Sequence, residues 1–100
     1  MYNRIYNIVN NLHTKDITVV VRKSQTTESV YVELYKNNID IILRISDHLN
    51  KKVKCKQLII CKNTKNKNIE RFIRNNIERI NVISLMRKIE NVNEISKSVK

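Results

Sequence analysis

Residues 51 to 67 are the part of this chain best suited to binding chemistry, because they carry seven lysines and no acidic residue. The first fifty residues hold six Lys/Arg against five Asp/Glu, a net charge of +1, whereas the second fifty hold fourteen against four, a net charge of +10. A lysine beside a phosphate releases a condensed counterion, so such a one-sided field attracts polyanions. The segment therefore predicts a nucleic-acid-binding site, DNA or RNA, formed by Lys51, Lys52, Lys54, Lys56, Lys62, Lys65 and Lys67.

Two further groups of residues extend this predicted site. Tyr31 and Tyr35 share one predicted sheet face with Arg44, Lys54 and Lys56. Cations on such a face hold phosphates while the rings stack on unpaired bases, and each stack contributes about 1–3 kcal/mol. Arg22 and Lys23 open a hydroxyl-rich loop, and such loops often contact phosphates. All three parts of the predicted site have a simpler interpretation. The tyrosines pack as cross-strand partners, the loop is a solvated turn, and the lysines of the segment protect an edge strand from strand-to-strand aggregation.

Catalytic and metal-binding patterns are weak. Ser46, Asp47 and His48 contain the residue types of a nucleophile relay, but neighbours along a strand point to opposite faces, so a turn is the better interpretation. Cys55 and Cys61 lack the close spacing of zinc ligands, and adding the two histidines, His13 and His48, gives no chelating motif. Glu33, Asp40 and Asp47 do not converge in the predicted register. We therefore predict a protein that is not an enzyme, with no cofactor and no metal.

Composition qualifies the charge and suggests a source. The chain has no Gly, Pro, Ala or Trp but sixteen Ile, fifteen Asn and thirteen Lys, which is typical of an AT-rich genome. Codon bias explains part of the net charge of +11 but not its asymmetry. The segments 29–32 and 43–48 resemble small AT-rich proteins of phages and other mobile elements. The alternative function is therefore a protein-interaction module that inhibits or assists a host nucleic-acid-handling complex, as anti-CRISPR proteins do.

Length and hydropathy predict one compact domain over residues 1–95, with a frayed tail at 96–100. No apolar run approaches the roughly 18 residues of a membrane span, and residues 1–12 do not form a signal peptide. We therefore expect a soluble, cytoplasmic protein without a membrane partner, in which both cysteines are reduced.

The elements that must position these residues follow from periodicity. Apolar residues at helical spacing predict a first helix over 2–12, and alternating residues predict strands over 17–21, 30–35 and 39–45. Asn37 and Asn38 tolerate the positive φ of a two-residue turn, which pairs positions that sum to 75. The first two strands are predicted to pair positions that sum to 51, which places aliphatic side chains on one common face.

A fourth antiparallel strand is predicted over roughly 53–61, and its imperfect alternation indicates either a bulge near Lys56 and Gln57 or a shorter strand. A C-terminal helix starts at Asn66 or Asn68, and its apolar phase slips near Asn81, so it is either one long helix or two. The fold class is α+β: an N-terminal helix, a meander of three or four strands, and one or two helices on one sheet face. The slipped stripe, 82–92, is covered either by a homodimer partner or by folding back over the open sheet face.

Overall fold

The computed structural model describes residues 1–12 and 14–98, with side chains described through Glu90. It confirms the α+β class, with a four-stranded sheet in the order β1-β2-β3-β4. The elements are α1 (Tyr2–Asn10), β1 (Thr18–Lys23), β2 (Val30–Lys36), β3 (Ile39–Ser46), β4 (Lys56–Ile59) and α2 (Asn66–Ser98).

The β2–β3 hairpin has the predicted register. Val30 pairs with Ile45 and Leu34 with Ile41, so paired positions sum to 75. Asn37 and Asn38 have φ angles of 49° and 67°, the left-handed conformation that a two-residue turn of this kind requires. In a chain without glycine, asparagine is the residue that reaches this conformation at low cost.

The β1–β2 register differs from the prediction by two residues. Val19 pairs with Leu34 and Lys23 with Val30, so positions sum to 53 rather than 51. β1 continues two residues further than expected, to Lys23, and the loop is correspondingly shorter, closed by the Ser24 amide, which donates to the Ser29 carbonyl at 2.9 Å. A shift of two residues leaves each side chain on its own face, so the predicted inner face is retained.

The fourth strand was predicted with the wrong direction, because β4 runs parallel to β3 and the sheet is mixed rather than a meander. β4 has four residues, which confirms the alternative of a strand shorter than 53–61. Leu43 lies beside Lys56 and Arg44 beside Gln57. Residues 47–55 must therefore cross back along the sheet before β4 begins, and no bulge is needed to explain the imperfect alternation. Lys56 thus shares a face with Leu43, not with Arg44 and the tyrosines as predicted.

Both helices pack on the same sheet face. α1 contacts β1, α2 contacts β2 and β3, and the helices contact each other. α2 is one continuous helix of 33 residues, about 50 Å long, so it neither breaks at Asn81 nor folds back over the other face. The core between the layers is aliphatic: Ile5, Ile8, Val9, Leu12, Ile17, Val30, Val32, Leu34, Ile39, Leu43, Ile45, Ile60, Ile69, Ile73 and Ile80.

The structure describes the backbone of the C-terminal helix almost to the end of the given sequence. α2 continues through Ser98, whereas Val99 and Lys100, which belong to the predicted frayed tail, lie outside the described residues. Among the described helices, none has the length and apolar content needed to cross a membrane.

Candidate nucleic-acid interface

The lysine segment, residues 51–67, surrounds the open edge of the sheet. Three of its lysines lie in the crossover (residues 47–55), one begins β4, two lie in the connection from β4 to α2, and one lies in the first turn of α2. All seven are exposed. Among the side chains described, in residues 1–12 and 14–90, the salt bridges join Arg22 to Glu33 and Arg74 to Glu70, with Asp47 and a protonated His48 as a third pair, so none involves a lysine of the segment. Its positive charge therefore has no salt-bridge partner among those side chains.

The crossover is fixed to the outer sheet face, the face opposite the helices, by one glutamine. The Gln57 amide donates to the carbonyl oxygens of Asn50, at 2.7 Å, and Val53, at 3.2 Å. Its Oε1 accepts from the Asn50 amide at 3.1 Å and from Arg44 Nη1 at 2.8 Å. Three hydrogen bonds between this side chain and the backbone of Asn50 and Val53 thus hold the crossover that carries Lys51, and the fourth ties Gln57 to Arg44. No helix is needed here, although parallel strands are usually joined by one.

Arg44 lies beneath this crossover and is only 2% exposed. Its Nη1 also donates to the His48 carbonyl at 2.8 Å, and its Nη2 donates to the hydroxyls of Ser29, at 2.9 Å, and Ser46, at 3.3 Å. Its Nε–H has no hydrogen-bond partner. The prediction that Arg44 is a surface contact for phosphate is therefore corrected: burial removes the guanidinium from the surface, and its hydrogen bonds fix the crossover.

Ser46, Asp47 and His48 form a connected cluster without the geometry of a catalytic relay. His48 Nδ1 lies 2.7 Å from Asp47 Oδ1 and 3.3 Å from Ser46 Oγ, so one ring nitrogen faces both groups. A relay needs the carboxylate on one nitrogen and the nucleophile on the other. Ser46 is also buried, and His48 Nε2 lies 3.3 Å from Arg44 Nη2. The hydrogen bond with His48 lowers the pKa of Asp47.

The open part of the outer face carries Arg22, Tyr31, Glu33 and Tyr35. The Arg22 guanidinium lies 5.2 Å from the centre of the Tyr31 ring and its Nε donates to Glu33 Oε1 at 2.5 Å. The Tyr35 hydroxyl donates to Glu33 Oε2. These bonds, Tyr35 first and then Arg22, lower the pKa of Glu33. Tyr31 is therefore already covered by a cation, while the Tyr35 residue remains 37% exposed.

The hydroxyl-rich loop largely satisfies its own hydrogen bonds. The Thr27 hydroxyl donates to Ser29 Oγ at 2.9 Å and accepts from the Ser29 amide at 3.2 Å. The Thr26 amide donates weakly to Ser24 Oγ at 3.4 Å. This is the geometry of a side-chain-stabilised turn. Lys23, at the end of β1, remains exposed at the same end of the sheet as Lys62, since β1 and β4 both end there.

The two cysteines lie in different environments. Burial raises the pKa of the half-buried Cys55, whereas a hydrogen bond with the Thr64 hydroxyl lowers the pKa of the exposed Cys61. In the part of the chain that the structure describes, no three His, Cys, Asp or Glu side chains group closely enough to hold a metal ion. His13 lies outside that part.

Arg4 is a positioning residue that sequence patterns did not single out. Its Nε donates to Asn66 Oδ1 at 2.7 Å and its Nη2 donates to the Thr64 carbonyl. Arg4 therefore ties α1 to the start of α2 and orders the connection that carries Lys62 and Lys65. In the sequence it is only one polar residue on the solvent side of an amphipathic helix, so no signal marked it.

No family model, curated protein or solved structure matches this chain. Its function is therefore inferred from its own geometry and charge.

Proposed function

We propose that this protein binds nucleic acid without catalysing a reaction, through phosphate contacts made by the lysine segment. The observation that carries the proposal is the arrangement of seven exposed lysines around one sheet edge, with no salt-bridge partner among the side chains described through Glu90. Phosphate contacts supply most of non-specific affinity for nucleic acid, and each releases bound counterions. The ordered crossover holds part of this charge in place, which lowers the entropy that binding must remove.

The tyrosines have unequal parts in this proposal. Tyr35 is open enough to stack on an unpaired base, whereas Tyr31 stacks only if Arg22 leaves its ring. Arg22 is better placed than Tyr31 to contact a nucleic-acid strand, because its guanidinium is half-exposed and lies over the Tyr31 ring. A single strand would therefore cross from the crossover toward Arg22 and Tyr35, while a duplex would contact the lysine segment alone.

The test is a charge-reversal experiment read by fluorescence anisotropy on single- and double-stranded DNA and RNA. Replacing Lys51, Lys52, Lys54 and Lys56 with glutamate should abolish binding at 50 mM salt without changing the circular dichroism spectrum. The matched control makes the same charge change of eight units at exposed sites outside the segment, and should retain most of the affinity: Lys15, Arg71, Arg79 and Lys88 to glutamate. Equal loss in both variants would show that only net charge matters and would contradict the proposed site.

A second candidate function is binding to a protein partner, such as a host nucleic-acid-handling complex. It is favoured by apolar side chains on the open outer face, where Val20 is 41% exposed and Ile42 is half-buried, one on each side of Glu33. Capture of a host protein that survives nuclease treatment, and that is lost in Val20→Glu, would support this function. Loss of the captured protein after nuclease treatment would instead support direct binding to nucleic acid.

A further inference from the structure

The second half of α2 carries an apolar stripe that its own domain cannot cover. Val82, Leu85, Met86 and Ile89 are each 53–59% exposed. A helix turns about 100° per residue, which places this stripe roughly 190° around the axis from the buried Ile80. The stripe therefore faces away from the sheet, and because α2 is continuous it cannot fold back. Four apolar neighbours form a patch of a few hundred Å², a size that on a monomer is commonly functional.

We propose that the stripe joins two copies of this chain in an antiparallel, two-fold helix pair. The stripe is symmetrical about the midpoint between Leu85 and Met86. When two copies are paired about that point, Val82 lies opposite Ile89 of the second copy, and Leu85 lies opposite its Met86. Self-complementarity of this kind is what a two-fold interface requires.

Charge selects the antiparallel direction. A parallel pair would align each helix residue with its own copy, so Arg71 and Arg79, which lie on the stripe side of α2, would each approach the same arginine. It would also place two lysine segments side by side, each from a chain of net charge +11. The antiparallel pair separates the two sheets and their lysine segments along the helix axis, and it opposes the helix dipoles. If the proposed function holds, the dimer presents two basic edges to one nucleic-acid strand.

The interface is small, so the dimer should be weak. A standard interface uses about 20–30 residues on each side, and α2 offers only the stripe and its flanks. We expect a dissociation constant of roughly 10–100 μM. Salt should strengthen this association because it screens the repulsion between two cationic chains, whereas salt weakens nucleic-acid binding.

The test is sedimentation equilibrium of the nuclease-treated protein from about 5 to 500 μM in 0.5 M salt, conditions that also remove nucleic-acid effects. The mass should rise with concentration from 11.9 kDa toward twice that value. Leu85→Gln should remain monomeric, while the control Leu49→Gln should associate like the wild type, because Leu49 is 57% exposed but lies in the crossover. A monomeric wild type, or association of Leu85→Gln, would overturn the proposal and leave the stripe to a different partner.

Cross-linking tests the direction. With Cys55 and Cys61 replaced by serine, chains carrying Val82→Cys mixed with chains carrying Ile89→Cys should form a disulfide between copies. Val82→Cys alone should not, since in the antiparallel pair its two copies are about 10 Å apart along the axis and a disulfide spans less than about 7 Å between Cα atoms. Efficient self-linking of Val82→Cys would indicate a parallel pair and refute the assigned direction.

Discussion

Replacing Gln57 with leucine should release the crossover from the sheet. The substitution removes three hydrogen bonds to neutral backbone groups and one from the Arg44 guanidinium. At about 1 kcal/mol for each neutral bond and about 2 kcal/mol for the charged one, the gross loss is about 5 kcal/mol. Gln57 is only half-buried, so water replaces part of these bonds and we expect a net loss of about 3 kcal/mol.

That loss is large for a domain of this size, whose total stability is typically about 5–15 kcal/mol. Urea unfolding followed by circular dichroism measures it, and hydrogen exchange at the Asn50 amide shows whether the crossover opens first. The matched control is Gln25→Leu, at an exposed loop position with no side-chain hydrogen bond among the described contacts, which should change stability by less than about 0.5 kcal/mol. If Gln57→Leu and Gln25→Leu unfold alike, the glutamine does not hold the crossover.

Three further predictions concern the core, the outer face and the cysteines. Ile80→Ala should cost about 3 kcal/mol in urea unfolding because Ile80 is fully buried, and a loss below about 1 kcal/mol would contradict its place in the core. The lowered pKa of Glu33 contributes stability that is present above pH 4.5 and is lost as pH falls through the folded-state pKa. The wild type should therefore be more stable than Glu33→Gln at pH 6, and this difference in unfolding free energy should be smaller at pH 3. A difference that stays constant over this range would refute the assignment. Cys61 should react with a thiol reagent faster than Cys55, because Thr64 lowers its pKa while burial raises that of Cys55, and equal rates would contradict the assignment.

The hairpin could be predicted from sequence because its information is local. Asn37 and Asn38 supply the turn conformation, and alternation fixes which residues face the core, so only one register satisfies both. The β1–β2 pairing lacks such a turn. Its hydroxyl-rich loop closes through a bond between Ser24 and Ser29 that alternation does not reveal, and the prediction missed by two residues.

The direction of β4 could not be predicted because it depends on long-range polar contacts. In the sequence, Gln57 interrupts an apolar strand and Arg44 has the pattern of an exposed cation. The structure explains both residues, because Arg44 donates a hydrogen bond to Gln57 beneath the crossover. The short crossover they hold has no helical periodicity to mark it. For the same reason the sequence placed Lys56 on the wrong face, although the exposed lysine edge itself follows directly from composition.

The salt dependence of nucleic-acid affinity tests the central claim most directly. Seven phosphate contacts predict a slope of log affinity against log salt of about −6 on duplex DNA and about −5 on a single strand. Reversing Lys51, Lys52, Lys54 and Lys56 should flatten that slope by more than half at any salt where binding is still measurable. A steep slope in the wild type that this variant loses and the control variant keeps is the predicted result. If the wild-type protein does not bind nucleic acid at 50 mM salt, or binds with a slope near zero, the account is contradicted.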